Sequence, residues 1–256
     1  MRILTIGDLH GLDCWKKVSP ENYDLIVFVG DYVDSFTVSD EDILRNFREI
    51  IQFRLDWPEK IVLLLGNHEI GYINPYYRCS GYRYTLEAEV RAIYKKHSQL
   101  FRVAHQWENY LWTHAGIQQE YYRKNILPKV IDSDENLAAT LQRLFSEKYA
   151  PLFEVGYERG GMRNEIGGPF WIDRHALVKN PLQGFDQVVG HTPVKKIEIF
   201  RPDALPETLR PVNLSEHDKS KGEGMLRWLM PNTSVTFCDC LEHGNRDFFD
   251  LEIIPW

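Results

Sequence analysis

Cysteine is scarce in this 256-residue chain, and the four present (Cys14, Cys79, Cys238, Cys240) form no paired framework. That argues against a disulfide-stapled secreted scaffold and suits a reducing cytoplasm. Cys238 and Cys240 stand two apart on an expected strand, where they would share a face and could not comfortably bridge. They read as free thiols near a site rather than a zinc knuckle. Long hydrophobic runs are missing too: no segment approaches the roughly 18 apolar residues of a membrane span. The opening MRILTIGDLHG lacks the apolar stretch and small-residue cleavage site of a signal peptide. There is no excess of positive charge, since 30 Lys and Arg against 37 Asp and Glu leave a net −7. Nucleic acid is therefore a poor bulk partner, because phosphate backbones are bound by clustered Lys and Arg. A small phosphorylated substrate stays open, since bound metal can supply positive charge locally. Repeats, low-complexity tracts and linkers are also absent, so residues 1–256 read as one cytoplasmic domain.

What is present begins with three short β-branched runs, RILTIG (2–7), DLIVFVG (24–30) and KIVLLLG (60–66). Their nearly continuous hydrophobicity predicts strands buried on both faces. Between the second and third, Ser39 can cap a helix whose first turn is acidic. Ile43, Phe47, Ile50 and Ile51 form its apolar stripe, and Trp57-Pro58 stops it. Strand, helix, strand is the grammar of a parallel α/β sheet. Later runs, among them LFRVAHQW, NYLWTHAG, FDQVVGHT, IEIF, SVTFCDC and FFDLEIIPW, alternate more and predict an antiparallel portion. A helix is expected over 137–149, a second in TLEAEVRAIYKKH, and a solvated loop over 213–224.

Five apolar runs end in metal-competent residues: GDLHG (7–11), GDYVDS (30–35), GNHE (66–69), THAG with His114, and VGHT with His191. Ligands of open α/β sheets gather beyond the carboxyl ends of the strands, so these endings imply one convergent site. Asp8, His10, Asp31, Asn67, His114 and His191 offer hard oxygens and imidazole nitrogens without thiolate. That mixture suits manganese, iron or zinc better than calcium. Six ligands exceed one tetrahedral ion but serve two divalent ions sharing a carboxylate, a clamp suited to in-line displacement.

These ordered motifs resemble those of the PPP-type phosphoprotein phosphatases within the calcineurin-like metallophosphoesterase superfamily, over roughly residues 7–191 and again at Asp239. The resemblance implies an α/β fold, a four-layer α/β/β/α sandwich of mixed sheets with a dimetal site at the strand ends. It implies that Asp8, His10 and Asp31 hold the first metal, Asp31 bridging, and that Asn67, His114 and His191 complete the second. Manganese is the first expectation for both ions, with iron or zinc next. His68 would be the general acid, with Asp34 pairing to it and favouring its charged form. Glu69 and Asp239 would support the site from behind. The implied reaction is hydrolysis of a phosphomonoester by a metal-bridging hydroxide, in a serine/threonine-type protein phosphatase acting on a phosphorylated protein or small phosphorylated substrate. A dinucleoside polyphosphate hydrolase is the alternative, and a non-catalytic metal-binding interaction protein the second.

Ser35 departs from the pattern. Relatives carry Arg-Gly after GD-x-VD, the arginine gripping the phosphate, whereas this chain has Ser35-Phe36. A serine brings neither charge nor a bidentate fork. Asn67 and Arg174, in GPFWIDR, are the expected phosphate ligands, with Arg159 and Arg163 as further candidates. The Tyr-rich segment 71–84 reads mainly as packing at the rim, with stacking on a base or an aromatic leaving group as the other possibility. His97, His105, His175, His217 and His243 read as ordinary surface or core histidines.

Overall fold

A computed structural model describes residues 1–132, 135–163, 165–202, 233–241 and 247–253. The expected loop at 213–224, with His217, and also His243, lie outside the described residues. The first sheet has the order β10-β1-β2-β3-β4, built from Arg2–Ile6 (β1), Leu25–Phe28 (β2), Ile61–Leu64 (β3), Phe101–Arg102 (β4) and Phe249–Glu252 (β10). The second has the order β5-β6-β7-β9-β8, from Ala104–Trp107 (β5), Tyr110–Thr113 (β6), Asp186–Val189 (β7), Glu198–Phe200 (β8) and Ser234–Phe237 (β9). Each sheet is mixed. The strands β1 to β4 run parallel, as do β6, β7 and β9, while β10, β5 and β8 pair antiparallel at or beside the edges.

The layering follows from residue alternation. Along β2 and just beyond it, Ile26 and Phe28 join the largest apolar cluster, whereas Leu25, Val27 and Val29 join another. Along β3 the same split separates Ile61, Leu63 and Leu65 from Val62 and Leu64. The first set meets Ile43, Phe47, Ile50 and Ile51 of α1 (Asp40–Asp56) and Val90 of α3 (Glu87–His97). The second set meets Trp112 and Val188 of the other sheet, and Trp112 donates to Thr5 across the gap at 2.9 Å. On the far side, Val189, Val235 and Phe237 pack against Leu177 of α6 (Arg174–Lys179). Helix, sheet, sheet, helix is therefore the order of layers, and strands buried on both faces read as unbroken hydrophobic runs. The described residues hold three further α-helices: α2 (Asn67–Ile73), the single turn α4 (Gln119–Tyr121) and α5 (Leu137–Ser146).

The structure differs from the sequence expectation in several places. LFRVAHQW, expected as one strand, breaks at Val103, whose amide bonds the Gln142 side chain at 3.0 Å instead of a ladder partner. The halves fall in different sheets. GNHE opens α2, with Gly66 at its N-cap and Glu69 accepting from the Gly66 amide. The helix expected to reach 149 stops at Ser146, because Lys148 turns left-handed at φ 56°. Cys238 and Cys240 share no strand face: β9 ends at Phe237, and the two thiols enter different apolar clusters. Among the described residues, no helix is long and apolar enough to cross a membrane.

Candidate dimetal active site

The carboxyl ends of β1, β2, β3 and β7 open onto one cleft of about 960 Å³, and His114, just beyond β6, is fully buried behind its wall. Crowding there requires glycine before the ligands. A Cβ on Gly66 would lie 2.1 Å from Asp31 Oδ1, and one on Gly190 would lie 2.0 Å from Asp8 Oδ1. Backbone conformation is unusual as well. Of six described non-glycine residues with positive φ, four are His10, Asp31, Asp34 and His191. Left-handed geometry disfavours most side chains and persists where surrounding structure enforces it, as at functional sites.

The six residues expected to hold metal converge. Asp31 Oδ2 sits at the centre, 3.4 Å from His114 Nε2 and 3.8 Å from His10 Nε2. Asn67 Oδ1 lies 2.7 Å from His114 Nε2 and 2.9 Å from His191 Nδ1. His10 and His114 place Nδ1 against backbone carbonyls, Asp34 O and Val29 O, each at 2.8 Å. That partner fixes the proton on Nδ1 and turns the Nε2 lone pair inward, the arrangement that prepares an imidazole for a metal. Asp8 Oδ2 accepts from the His191 amide at 2.8 Å, while its Oδ1 is buried without a hydrogen-bond partner. Burial, then Asp239 and Asp31, push the Asp8 carboxyl well above the usual range. An orphaned carboxylate oxygen among acidic neighbours and inward lone pairs fits divalent cations. His10, Asp31 and His68, and Asp31, His114 and His191, each gather candidate donor atoms within 4.8 Å.

His68 stands beside this cluster, its Nδ1 2.9 Å from Asp34 Oδ2 and its Nε2 3.9 Å from Asp31 Oδ2. Burial works against its charge, but the charge of Asp31 and hydrogen bonds with Asp34 and Cys79 outweigh it and hold the imidazolium pKa well above the usual value. Two residues back the cluster: Glu69, expected there from the resemblance, and Tyr72, invisible in the sequence. Tyr72 donates to Asp34 Oδ1, fixing the other carboxylate oxygen. Glu69 accepts from four backbone amides, those of Asp31, Tyr32, Val33 and Gly66. Both act through tertiary contact, and both stand in the first turns of α2, close in the chain to Asn67.

Arg174 is the exception. It opens α6 with its guanidinium 2.6 Å from Glu198 and over the Phe237 ring, and it does not line the cleft. The carboxylate on β8 and the aromatic face claim the side chain that the sequence reading assigned to the phosphate. Arg163 is exposed and also off the cleft. Arg159 does line it, bonded to Thr192 Oγ1 at 3.0 Å beside His191. Arg78 lines it as well, stacked over Tyr82 and Tyr84.

A four-layer sandwich whose strand ends gather carboxylates, imidazoles and an Asp-backed histidine is the plan of a metal-dependent phosphoesterase. The chain belongs to the calcineurin-like phosphoesterase family, whose model matches residues 1–214. A provisionally named serine/threonine-protein phosphatase of Schizosaccharomyces pombe is 38% identical over 72 residues, covering 26% of this chain and 22% of that protein. The matched stretch is thus about a fifth of that relative's length. Among solved structures, a cold-active protein-tyrosine phosphatase of a psychrophilic Shewanella species aligns with TM-score 0.45 and 16% identity, over 77% of this chain and 67% of that one. A protein serine/threonine phosphatase of Saccharomyces cerevisiae aligns with TM-score 0.45 and 17% identity, over 77% and 63%.

Proposed function

We propose that this phosphoesterase hydrolyses phosphate monoesters on protein side chains, phosphoserine and phosphothreonine among them. The observation that carries the reading is the His68–Asp34 pair facing the Asp31 cluster. A metal scaffold alone has no use for a buried proton donor backed by a carboxylate. Two divalent ions, held by Asp8, His10 and Asp31 and by Asn67, His114 and His191 with Asp31 shared, would supply Lewis acidity and an activated water. Manganese is our first assignment. His68 donates its proton to the departing ester oxygen, and Asp34 with Tyr72 keeps the imidazole aimed. The stretch shared with the fission-yeast phosphatase supports the protein-phosphatase reading.

The test is phosphate release by metal-stripped protein before and after reloading with Mn²⁺. Stripped protein is expected to lose about three orders of magnitude in rate, the several kcal/mol that metal charge contributes. Reloading restores it, with a phosphothreonine peptide turned over faster than a diadenosine polyphosphate. Preference for the dinucleotide would establish the nucleotide-hydrolase alternative instead.

Arg159 takes the role left open at Ser35, because it is the arginine on the His191 side of the cleft. Losing a charged hydrogen bond to phosphate costs about 1.5–3 kcal/mol. Arg159→Ala is therefore expected to raise the KM of a phosphopeptide about 10- to 100-fold, while Arg174→Ala leaves it near wild type. The reverse pattern in steady-state kinetics would return the role to Arg174.

A further inference from the structure

The turn that departs from the family pattern is built with care. Ser35 lines the cleft, and its Oγ accepts the amides of Thr37 and Val38, both at 3.2 Å, so the hydroxyl caps the turn. Arg83 grips the turn from behind, donating to the carbonyls of Ser35 and Val38 and pairing with Asp40. Arg83 and Ser35 hold the backbone; what they present is Phe36. Its side chain lines the cleft and is 80% exposed. Scattered exposed apolar residues need no explanation, but this one has company. Tyr76 and Met162, 86% and 74% exposed, line the same cleft. Gly81, at φ 81°, lies beneath the Phe36 ring, and a Cβ there would sit 3.4 Å from Phe36 Cζ. The glycine supports the ring without covering it.

Position along the chain sets which end of a substrate this ring meets. Phe36 follows by two residues the Asp34 that holds His68, and Gly81 follows by two the Cys79 that bonds His68. Arg159 lies elsewhere, on the His191 side. The ring therefore belongs to the wall of the cleft that carries His68 and its Asp34 partner, which the proposed reaction makes the leaving-group side.

We propose that Phe36 is a stacking platform for the leaving group, and that the preferred substrate carries a planar aromatic ring next to its phosphate. The inference rests on the phosphoesterase reading and narrows its substrate class. A phenolic ester, as in phosphotyrosine, carries the ring on the ester oxygen itself, and a nucleoside monophosphate offers the same kind of stacking face beyond its ribose. Aromatic stacking discriminates about three- to tenfold for a small ring.

The experiment uses calorimetric titration of Mn²⁺-loaded protein with two phosphonates that cannot be hydrolysed. Phenylphosphonate is expected to bind about tenfold more tightly than methylphosphonate. The preference should vanish in Phe36→Ala and survive in Phe36→Tyr, with the melting temperature of each variant confirming its fold. A preference that persists in Phe36→Ala, or is absent from the wild type, overturns the platform. In parallel, kcat/KM is compared between wild type and Phe36→Ala for O-phosphotyrosine, adenosine 5′-monophosphate and glycerol phosphate. A selective loss for the first names a phenolic substrate, a loss for the second a nucleotide, and no selective loss overturns the proposal. Phosphate release with equal binding of both phosphonates removes the platform alone. No binding of either phosphonate, with no phosphate release from any ester, removes the phosphoesterase reading and the platform with it.

Discussion

Replacing His68 with asparagine is expected to lower kcat on a phosphothreonine peptide about 10²- to 10⁴-fold, the usual contribution of a positioned general acid. Metal content should stay near wild type, because the hydrogen bond to Asp34 and the charge of Asp31 favour the imidazolium form of His68, which has no lone pair for a metal. The loss should shrink sharply with 4-nitrophenyl phosphate, whose leaving oxygen departs without a proton. The pH profile carries the same signature. In the proposed mechanism His68 acts as the imidazolium, and Asp31, Asp34 and Cys79 together hold its pKa well above the ordinary value against the pull of burial. Alkyl-ester turnover should therefore persist above the usual imidazole range and fall as pH rises through the elevated pKa. Asp34→Asn removes one of the groups that raise it, so the alkaline limb should move to lower pH. A His68→Asn enzyme losing equally on alkyl and nitrophenyl esters would mean that His68 does not protonate the leaving group.

How much of this was legible beforehand depended on where each contact lies in the chain. Asp8, Asp31, Asn67, His114 and His191 could be read because each directly follows a strand, and strand ends converge in any α/β sheet. The strands themselves were legible because Ile26, Phe28, Leu25 and Val27 all had to be apolar to serve two different layers. Tyr72 and Arg83 were not legible, since each reaches a partner 38 or more residues away and carries no local signature. Arg174 misled because proximity to Trp171 in sequence says nothing about Glu198, which captures its guanidinium from β8. The break at Val103 was hidden for a related reason. Its amide is satisfied by Gln142 on a helix 39 residues later, so nothing nearby announces a change of sheet.

Glu69→Gln is expected to disturb the site more than its modest chemistry suggests. Glu69 Oε2 accepts from Asp31 N at 2.9 Å and Gly66 N at 3.0 Å, and Oε1 from Tyr32 N at 2.9 Å and Val33 N at 3.3 Å. Every one of these amides is a donor, and a carboxylate is the side chain that accepts on both atoms. Glutamine turns one acceptor into a donor, so two buried amides lose their partner and face another N–H. At about 1–3 kcal/mol for each unsatisfied group, the cost is about 2–6 kcal/mol. In a domain of this size that corresponds to a melting temperature lower by about 5–20 °C. The loop affected is the one that keeps Asp31 at φ 51° and Asp34 at φ 61°, conformations that hold only while their surroundings enforce them. Metal affinity should fall with stability, even though Glu69 touches no ion. Burial and Asp31 push its carboxyl up to about 7 against the pull of the amides, so the comparison belongs at pH 8, where the wild-type carboxylate is ionised. Thermal melts and bound manganese, measured together, decide the matter. A Gln variant that melts and binds manganese like wild type would show that the four amides do not depend on the carboxylate, and that the strained loop is held by something else.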